Sequence, residues 1–216
     1  MRDVTLTFDN GPEPDVTPGV LDVLARTGVP ATFFVLGKKI ADPAGRRLAE
    51  RAAAEGHWIA NHTYSHETPL GLLPGADVPG AEIGRTQDLI GGLAHADKPF
   101  RPFGGGGALG PHLLSRAAAD YLAAGGYTCV LWNAVPRDWA DPDGWVETAM
   151  EQISALDHAL VVVHDLPTGA MAHLERFIDG VRAAGGAFRR DFPEACVPLR
   201  RGRITGDFAA CVAEAA

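Results

Sequence analysis

Asp9 and Asn10 stand side by side where an apolar run, Val4-Thr5-Leu6-Thr7-Phe8, gives way to Gly11-Pro12. A carboxylate at the end of a buried strand is either paired with a cation or kept as a base with a displaced pKa. His62 and His66 stand four apart in Asn61-His62-Thr63-Tyr64-Ser65-His66. In a helical turn that spacing puts both imidazoles on one face, within reach of one metal ion, with Asn10 as a matching oxygen donor. The alternative is a polar loop whose histidines bond to backbone. Arg101 opens Arg101-Pro102-Phe103-Gly104-Gly105-Gly106-Gly107. Its glycines let the backbone approach a ligand and present N–H groups, as an anion cradle, as an oxyanion hole or simply as a flexible turn. No Gly-Lys-Ser/Thr follows, so it is no P-loop. Asp138-Trp139 puts a carboxylate beside an aromatic, which suits the wall of a sugar or acyl pocket or a partly buried surface pair. His164 closes Leu160-Val161-Val162-Val163 and could serve as a general acid or base, or as a structural histidine. His57, His95, His112, His158 and His173 have no matched partner in the sequence and read as structural or surface groups. Cys129, inside an apolar stretch, reads as core rather than nucleophile.

The elements that must position these residues are short. Strands are expected at 4–8, 31–36, 58–60, 100–101, 127–131, 160–163 and 187–188. Helices are expected at 18–26, 43–55, 81–93, 111–124, 143–156 and 171–184, several bounded by Pro at the start and Gly at the end. Seven strands alternating with six helices argue for a parallel sheet covered by helices. Polar residues at several strand ends favour a closed or nearly closed barrel. The tail beyond 191 has little periodicity and is expected to pack over the exterior or bottom, its Arg200-Arg201-Gly202-Arg203 cluster being solvated surface.

The 216 residues, with 46% hydrophobic and 21% charged, describe one soluble globular domain. A net charge of -8 argues against nucleic acid or an anionic membrane surface as partner. No apolar run is long enough to span a bilayer. No basic or apolar leader precedes the first strand, so a full-length chain is expected in the cytoplasm; an exported or cell-envelope protein with its signal removed is the alternative. Cys129, Cys196 and Cys211 contain no C-x-x-C and read as free thiols, with neither a disulfide framework nor a thiolate zinc site, a Cys196–Cys211 pair being the alternative.

Over about residues 3–190 these segments resemble the polysaccharide deacetylase family, the NodB-homology domain of carbohydrate esterase family 4. Thr7-Phe8-Asp9-Asn10-Gly11-Pro12 is similar to T-F-D-D-G-P. His62-Thr63-Tyr64-Ser65-His66 matches H-[ST]-x-x-H, and Arg101-Pro102-Phe103-Gly104-Gly105 resembles R-P-P-Y-G. Asp138-Trp139 matches the D-W motif, and Leu160–His164 resembles L-x-L-x-H, with Val162 in the place of its wall leucine. The resemblance implies an α/β fold, a distorted (β/α)7 TIM-like barrel in a single domain over 1–216, with a core at 3–190 and a tail at 191–216. It implies hydrolysis of an N-acetyl or O-acetyl group on an amino sugar or polysaccharide. Asp9 would be the base, Arg101 its orienting cation, His164 the acid and Asp138 the group that tunes it. Phe103, Gly104, Trp139 and Val162 would line the substrate site, with a Gly104 N–H on the oxyanion. His62, His66 and Asn10 would hold a divalent metal, zinc being the usual one. Asn10 replaces an anionic ligand of the family, so a weakened metal site is expected. Asn133 and Pro136 are expected to alter substrate contacts.

Two other readings are compatible with these residues. One is a metal-independent amidase or cyclic-imide hydrolase acting on a small intracellular metabolite. The other is a non-catalytic carbohydrate-binding relic of the fold, which has no need of a separated acid and base.

Overall fold

The first strand, β1 (Asp3–Asp9), is the element around which the sheet is built. The computed structural model describes residues 2–214. After β1 come α1 (Thr17–Thr27), β2 (Thr32–Val35), α2 (Gly37–Ile40), α3 (Pro43–Ala54) and β3 (Trp58–Asn61). They are followed by α4 (Arg85–Ile90), β4 (Pro99–Phe100), α5 (Arg116–Ala124), β5 (Thr128–Cys129), α6 (Trp145–Ser154) and β6 (His158–His164). The chain ends with α7 (Leu174–Ala183), β7 (Ala187–Arg189), β8 (Leu199–Arg200) and β9 (Arg203–Ile204).

Strands β6, β1, β2, β3, β4 and β5 lie side by side in that order, all parallel. Because a strand alternates its side chains, β1 and β6 sort theirs by parity. Val4, Leu6, Phe8, Ala159, Val161 and Val163 join one apolar core with α1, α6 and α7. Leu160 and Val162 belong to a second core, with Phe34 and Phe100. Asp9 and His164 fall on that second, inner face, directly opposite one another in the β1–β6 register. The helices close the outside by ordinary amphipathic patterning: α7 buries Leu174, Phe177, Ile178 and Val181, three and four apart. Their ends are capped as the sequence signals suggest. Asp42 accepts from Ala44 N–H beside Pro43, and Gly28, at φ 65°, ends α1.

The barrel is distorted in two places. The upper half of β1 pairs with β2, but its lower half, Asp3 to Thr5, pairs with β7 instead. Between β5 and β6 the ring meets at one residue, Ala134, which bridges in parallel to Val161. There the Asn133 side chain does the work of a peptide unit. Its Nδ2 donates to His158 O at 3.0 Å and its Oδ1 accepts from Leu160 N–H at 2.7 Å. Asn133 therefore completes the sheet and does not line the cavity, contrary to the expectation of a substrate contact.

Three local expectations are corrected. The helix expected over 111–124 is broken: a 3-10 turn, Pro111–Leu113, stops at extended Leu114, and α5 restarts behind Ser115, whose Oγ caps Ala118 N–H. Leu114 exchanges backbone bonds with Cys211 and Ala213 of the tail, which pulls it out of helical geometry. The tail does more than lie outside the barrel. Its β8 pairs antiparallel with β5, and Cys196, Val197, Leu199, Phe208 and Cys211 enter the second core. The strand expected over 127–131 is regular only at Thr128–Cys129, and beyond it Leu131 N–H donates to Cys196 O of the tail. All three cysteines are free and buried, and Arg200 to Arg203 forms the exposed β8–β9 turn.

Candidate active site

The strand tops converge on a cavity of about 300 Å³ lined by Asp9, Asn10, His62, His66, the 102–107 loop, Trp132, Val135, Trp139, Val162, His164 and Leu166. Of the residues given a catalytic, substrate or metal role from the sequence, Arg101 and Asp138 stand behind this wall, and Asp9, Asn10, His62, His66, Phe103, Gly104, Trp139, Val162 and His164 line the cavity; Asn133 and Pro136 are not among its lining.

Arg101 is fully buried. Its position follows from β3–β4 pairing, in which Asn61 sits opposite Phe100, so that His62 and Arg101 leave the two strand ends together. The guanidinium lies over the Phe34 ring at 3.9 Å and is satisfied on every side. Nη1 donates to Asp9 Oδ1 at 2.7 Å and to Thr7 Oγ1 at 2.8 Å, and the other nitrogens reach the Val130 and Leu131 carbonyls at 3.4 Å. A buried charge is tolerable only with such pairing. Burial alone would raise the Asp9 carboxyl; Arg101, His62 and His164 outweigh it and hold Asp9 below the usual carboxylate range. Oδ1 is occupied by Arg101, while Oδ2 lies 3.5 Å from His62 Nε2.

His164 carries the opposite arrangement. Nδ1–H donates to Asp138 Oδ1 at 2.8 Å, and the other Asp138 oxygen accepts the His164 backbone N–H at 2.9 Å. Asp138 is fully buried. Burial presses the His164 pKa down, but the Asp138 bond and charge overcome it, and the net shift is upward. The edge of the Trp139 ring meets the imidazole at 4.8 Å in a perpendicular contact.

The two other histidines lie in a polar loop, the second of the two shapes their spacing allows, and not in a helical turn. Thr63 (φ 68°) and His66 (φ 52°) are left-handed, so 62–66 is an irregular loop. It nevertheless brings the two rings to 4.8 Å of each other. His62 Nδ1–H donates to Arg101 O at 2.8 Å, which leaves Nε2 as a lone pair. His66 stacks on Phe103 at 3.9 Å. Burial holds both rings below the ordinary histidine value, with His66 pushed down to about 3, so both are neutral at pH 7. Asn10 (φ 72°) has a buried Oδ1 with no hydrogen-bond partner among the described residues. A buried acceptor of this kind ordinarily has a partner. Two neutral imidazoles and an unsatisfied carboxamide oxygen on one wall fit the donor chemistry of a divalent cation. Among the described residues no three His, Cys, Asp or Glu side chains form such a cluster by themselves, so the third donor would be the Asn10 oxygen.

The 104–107 loop uses its glycines for conformation. Gly105, Gly106 and Gly107 all have φ between 56° and 99°. A side chain on Gly104 would strike the Trp132 ring, which packs directly beneath it. Trp132 Nε1–H then donates to Gly107 O at 2.8 Å, and the His112 ring lies 3.3 Å from Gly104 O. Trp132 and His112 were missed in the sequence as site residues. Trp132 could have been found as the aromatic at the top of the fifth strand, whereas nothing in the spacing marks His112. Asp165, next to His164, was missed as well. Burial raises its pKa to about 7, and Thr17 Oγ1–H donates to its Oδ2.

The comparisons with known proteins bear on the family and the fold. The family model described as polysaccharide deacetylase matches residues 1–121. A chitooligosaccharide deacetylase of Rhizobium leguminosarum bv. phaseoli is 36% identical over 167 residues, covering 74% of this chain and 66% of its own length. This chain thus spans just under two thirds of that relative. Among solved structures, a family 4 carbohydrate esterase from Streptomyces lividans in complex with acetate superposes with a TM-score of 0.73 at 27% identity, covering 91% of this chain and 96% of the other. A family 4 acetyl xylan esterase from Clostridium thermocellum in complex with a cobalt ion gives 0.69 at 26% identity, covering 87% of each. With the barrel, the motif residues at its mouth and these likenesses in agreement, the chain belongs to the polysaccharide deacetylase family.

Proposed function

We propose that this chain is a hydrolase that removes an acetyl group from an N-acetylated amino sugar. The observation that carries the reading is the pair of groups on the cavity wall. The Asp9 carboxyl is held below its ordinary pKa with Arg101 behind it, and the His164 imidazole is held above its ordinary pKa with Asp138 behind it. Amide hydrolysis needs a base for water and an acid for the departing amine, and groups with separated pKa values supply both.

In this reading Asp9 Oδ2 takes a proton from water as the water oxygen bonds to the acetyl carbon. The carbonyl oxygen becomes an oxyanion facing the 104–107 loop, whose backbone N–H groups can donate to it. His164 Nε2–H then passes its proton to the amide nitrogen, the C–N bond breaks, and acetate and a free amine leave. Trp139, Val162 and Leu166 give the acetyl methyl an apolar seat, and Phe103 and Gly104 face the sugar. The cobalt-bound likeness and the unsatisfied Asn10 Oδ1 support a divalent ion, zinc or another, held by Asn10, His62 and His66. Such an ion would supply Lewis acidity toward the carbonyl oxygen and the attacking water. Because Asn10 is neutral, the ion would be held less tightly than by a carboxylate.

The substrate class rests on the Rhizobium relative's name, chitooligosaccharide deacetylase. Purified protein incubated with N-acetylchitooligosaccharides of two to six units, with and without added Co²⁺ or Zn²⁺, should release acetate and expose primary amines. No acetate from any of these oligosaccharides under either condition would overturn the reading.

A further inference from the structure

We propose that Glu82 is a positioning residue for the His62–His66 pair, acting on the loop between them. The inference rests on the reading of these histidines as metal ligands. The loop is held in a shape its own sequence does not favour. Thr63 and His66 are non-glycine residues at positive φ, a conformation that persists only where surroundings impose it. The bonds that impose it come from two directions. From one side, Gly37 N–H donates to Thr63 O at 2.9 Å and Lys38 N–H to Tyr64 O at 3.1 Å. From the other, Glu82 Oε2 accepts both Tyr64 N–H at 3.0 Å and Ser65 N–H at 2.9 Å. Two successive backbone N–H groups pointing at one oxygen make an anion-binding concavity, here filled by the protein's own carboxylate.

Glu82 is itself unusually placed. It lies in a π-helical turn, Gly80–Gly84, that runs into α4. Such turns re-aim side chains and occur often at functional sites. The same turn holds the start of the loop, since Asn61 Nδ2 donates to Ile83 O at 2.9 Å while Asn61 Oδ1 accepts Thr63 N–H at 3.1 Å. The Arg85 guanidinium covers the Tyr64 ring at 3.6 Å.

The two histidines do not depend equally on this support. His62 is fixed through its ring by the Arg101 carbonyl. Among the described residues no other residue hydrogen-bonds the His66 ring, and Phe103 contributes only stacking. The direction of His66 is therefore set by its backbone, and the backbone by Glu82. Loss of Glu82 should loosen the spacing of the ligand pair without removing either ligand.

The test is Co²⁺ affinity, measured by calorimetry on the parent, Glu82→Ala, Glu82→Gln and, as a stability control, Ile153→Val in the distant core. Supporting groups behind ligands typically change metal affinity by about 10–100-fold, and a loss at the low end of that range is expected for Glu82→Ala. Glu82→Gln keeps an oxygen that can accept both N–H groups and should stay near the parent. Ile153→Val, destabilised without touching the loop, should bind as the parent does. A folded Glu82→Ala with the parent's Co²⁺ affinity would overturn the proposal alone. A parent that binds no Co²⁺ would overturn the metal reading and this proposal with it. If Glu82→Ala does not fold, Glu82→Asp, one methylene too short to reach both N–H groups, serves with the same two outcomes.

Discussion

Two buried acid–base pairs meet at the cavity, and they face it with opposite ends. In Asp9–Arg101 the anion is presented and the cation is hidden, with Arg101 fully buried. In His164–Asp138 the imidazole is presented and the anion is hidden, with Asp138 fully buried. Both presented groups sit at the last position of adjacent strands, in direct register. The backbone treats them alike. Their difference is made by what stands behind each, and that decides which can take a proton and which can give one.

The largest effect should come from removing the presented charge of the first pair. Asp9→Asn keeps the shape, leaves Arg101 without its partner and should lower kcat/KM for acetate release by about 10³–10⁴-fold, at the upper end of what general bases contribute. A loss below tenfold would separate the pair from the chemistry. Next in size is removal of the hidden cation. Arg101→Met leaves Asp9 as an uncompensated buried charge and should cost about 3–5 kcal/mol in urea unfolding. An unchanged unfolding midpoint would mean that the anion does not need this partner.

The corresponding change in the second pair should be milder. Asp138→Asn keeps the bond to the His164 backbone N–H but removes the charge that raises the imidazole pKa. The alkaline limb of the pH–rate profile should move to lower pH, with the rate at pH 8 falling about tenfold. A limb that stays in place would mean that His164 is not the acid. The smallest effect is on stability, and it should have opposite signs for the two pairs. Asp9 has a lowered folded pKa, so its contribution is present above the ordinary 3.8 and is lost as pH falls through the lowered value. His164 has a raised folded pKa, so its contribution is present below the ordinary 6.5 and is lost as pH rises through the raised value. Thermal melts of Asp9→Asn and His164→Ala against the parent should therefore converge with it at low pH for the first and at high pH for the second. The reverse pattern would break the comparison.

How much of this was legible in the sequence depended on whether a feature left a local pattern. Asp9, Arg101 and His164 follow short apolar runs, and a polar residue at such a boundary is visible in one line of sequence. Which side chain backs which is fixed by inter-strand register, across 92 positions for Asp9 and Arg101, and only the family resemblance suggested it. The His62–His66 spacing marks two neighbouring rings but leaves the local shape open between a helical turn and a polar loop, and the structure has the loop. Positive φ at Thr63 and His66 is imposed by Glu82 and α2, neither of which the spacing contains. The two-residue strands β8 and β9 are too short to show any period, so the tail's part in the sheet was invisible. Asn133 is expected from the sequence to alter substrate contacts, because a side chain imitating a backbone leaves no period that marks its part in the sheet.

That imitation has a consequence for how the molecule parts. Between β1 and β6 seven residue pairs are in register, whereas the β5–β6 seam is stitched by the Ala134 bridge and one carboxamide. Segments with few mutual backbone bonds separate at the lowest free energy. Deuterium should therefore enter first along this seam, at the Ala134 and Val162 amides, well ahead of the amides of β1. The seam also runs past Trp132 and Val162, two walls of the cavity. Sheet fluctuation and cavity width are thus tied together along a line that a single amide side chain keeps shut.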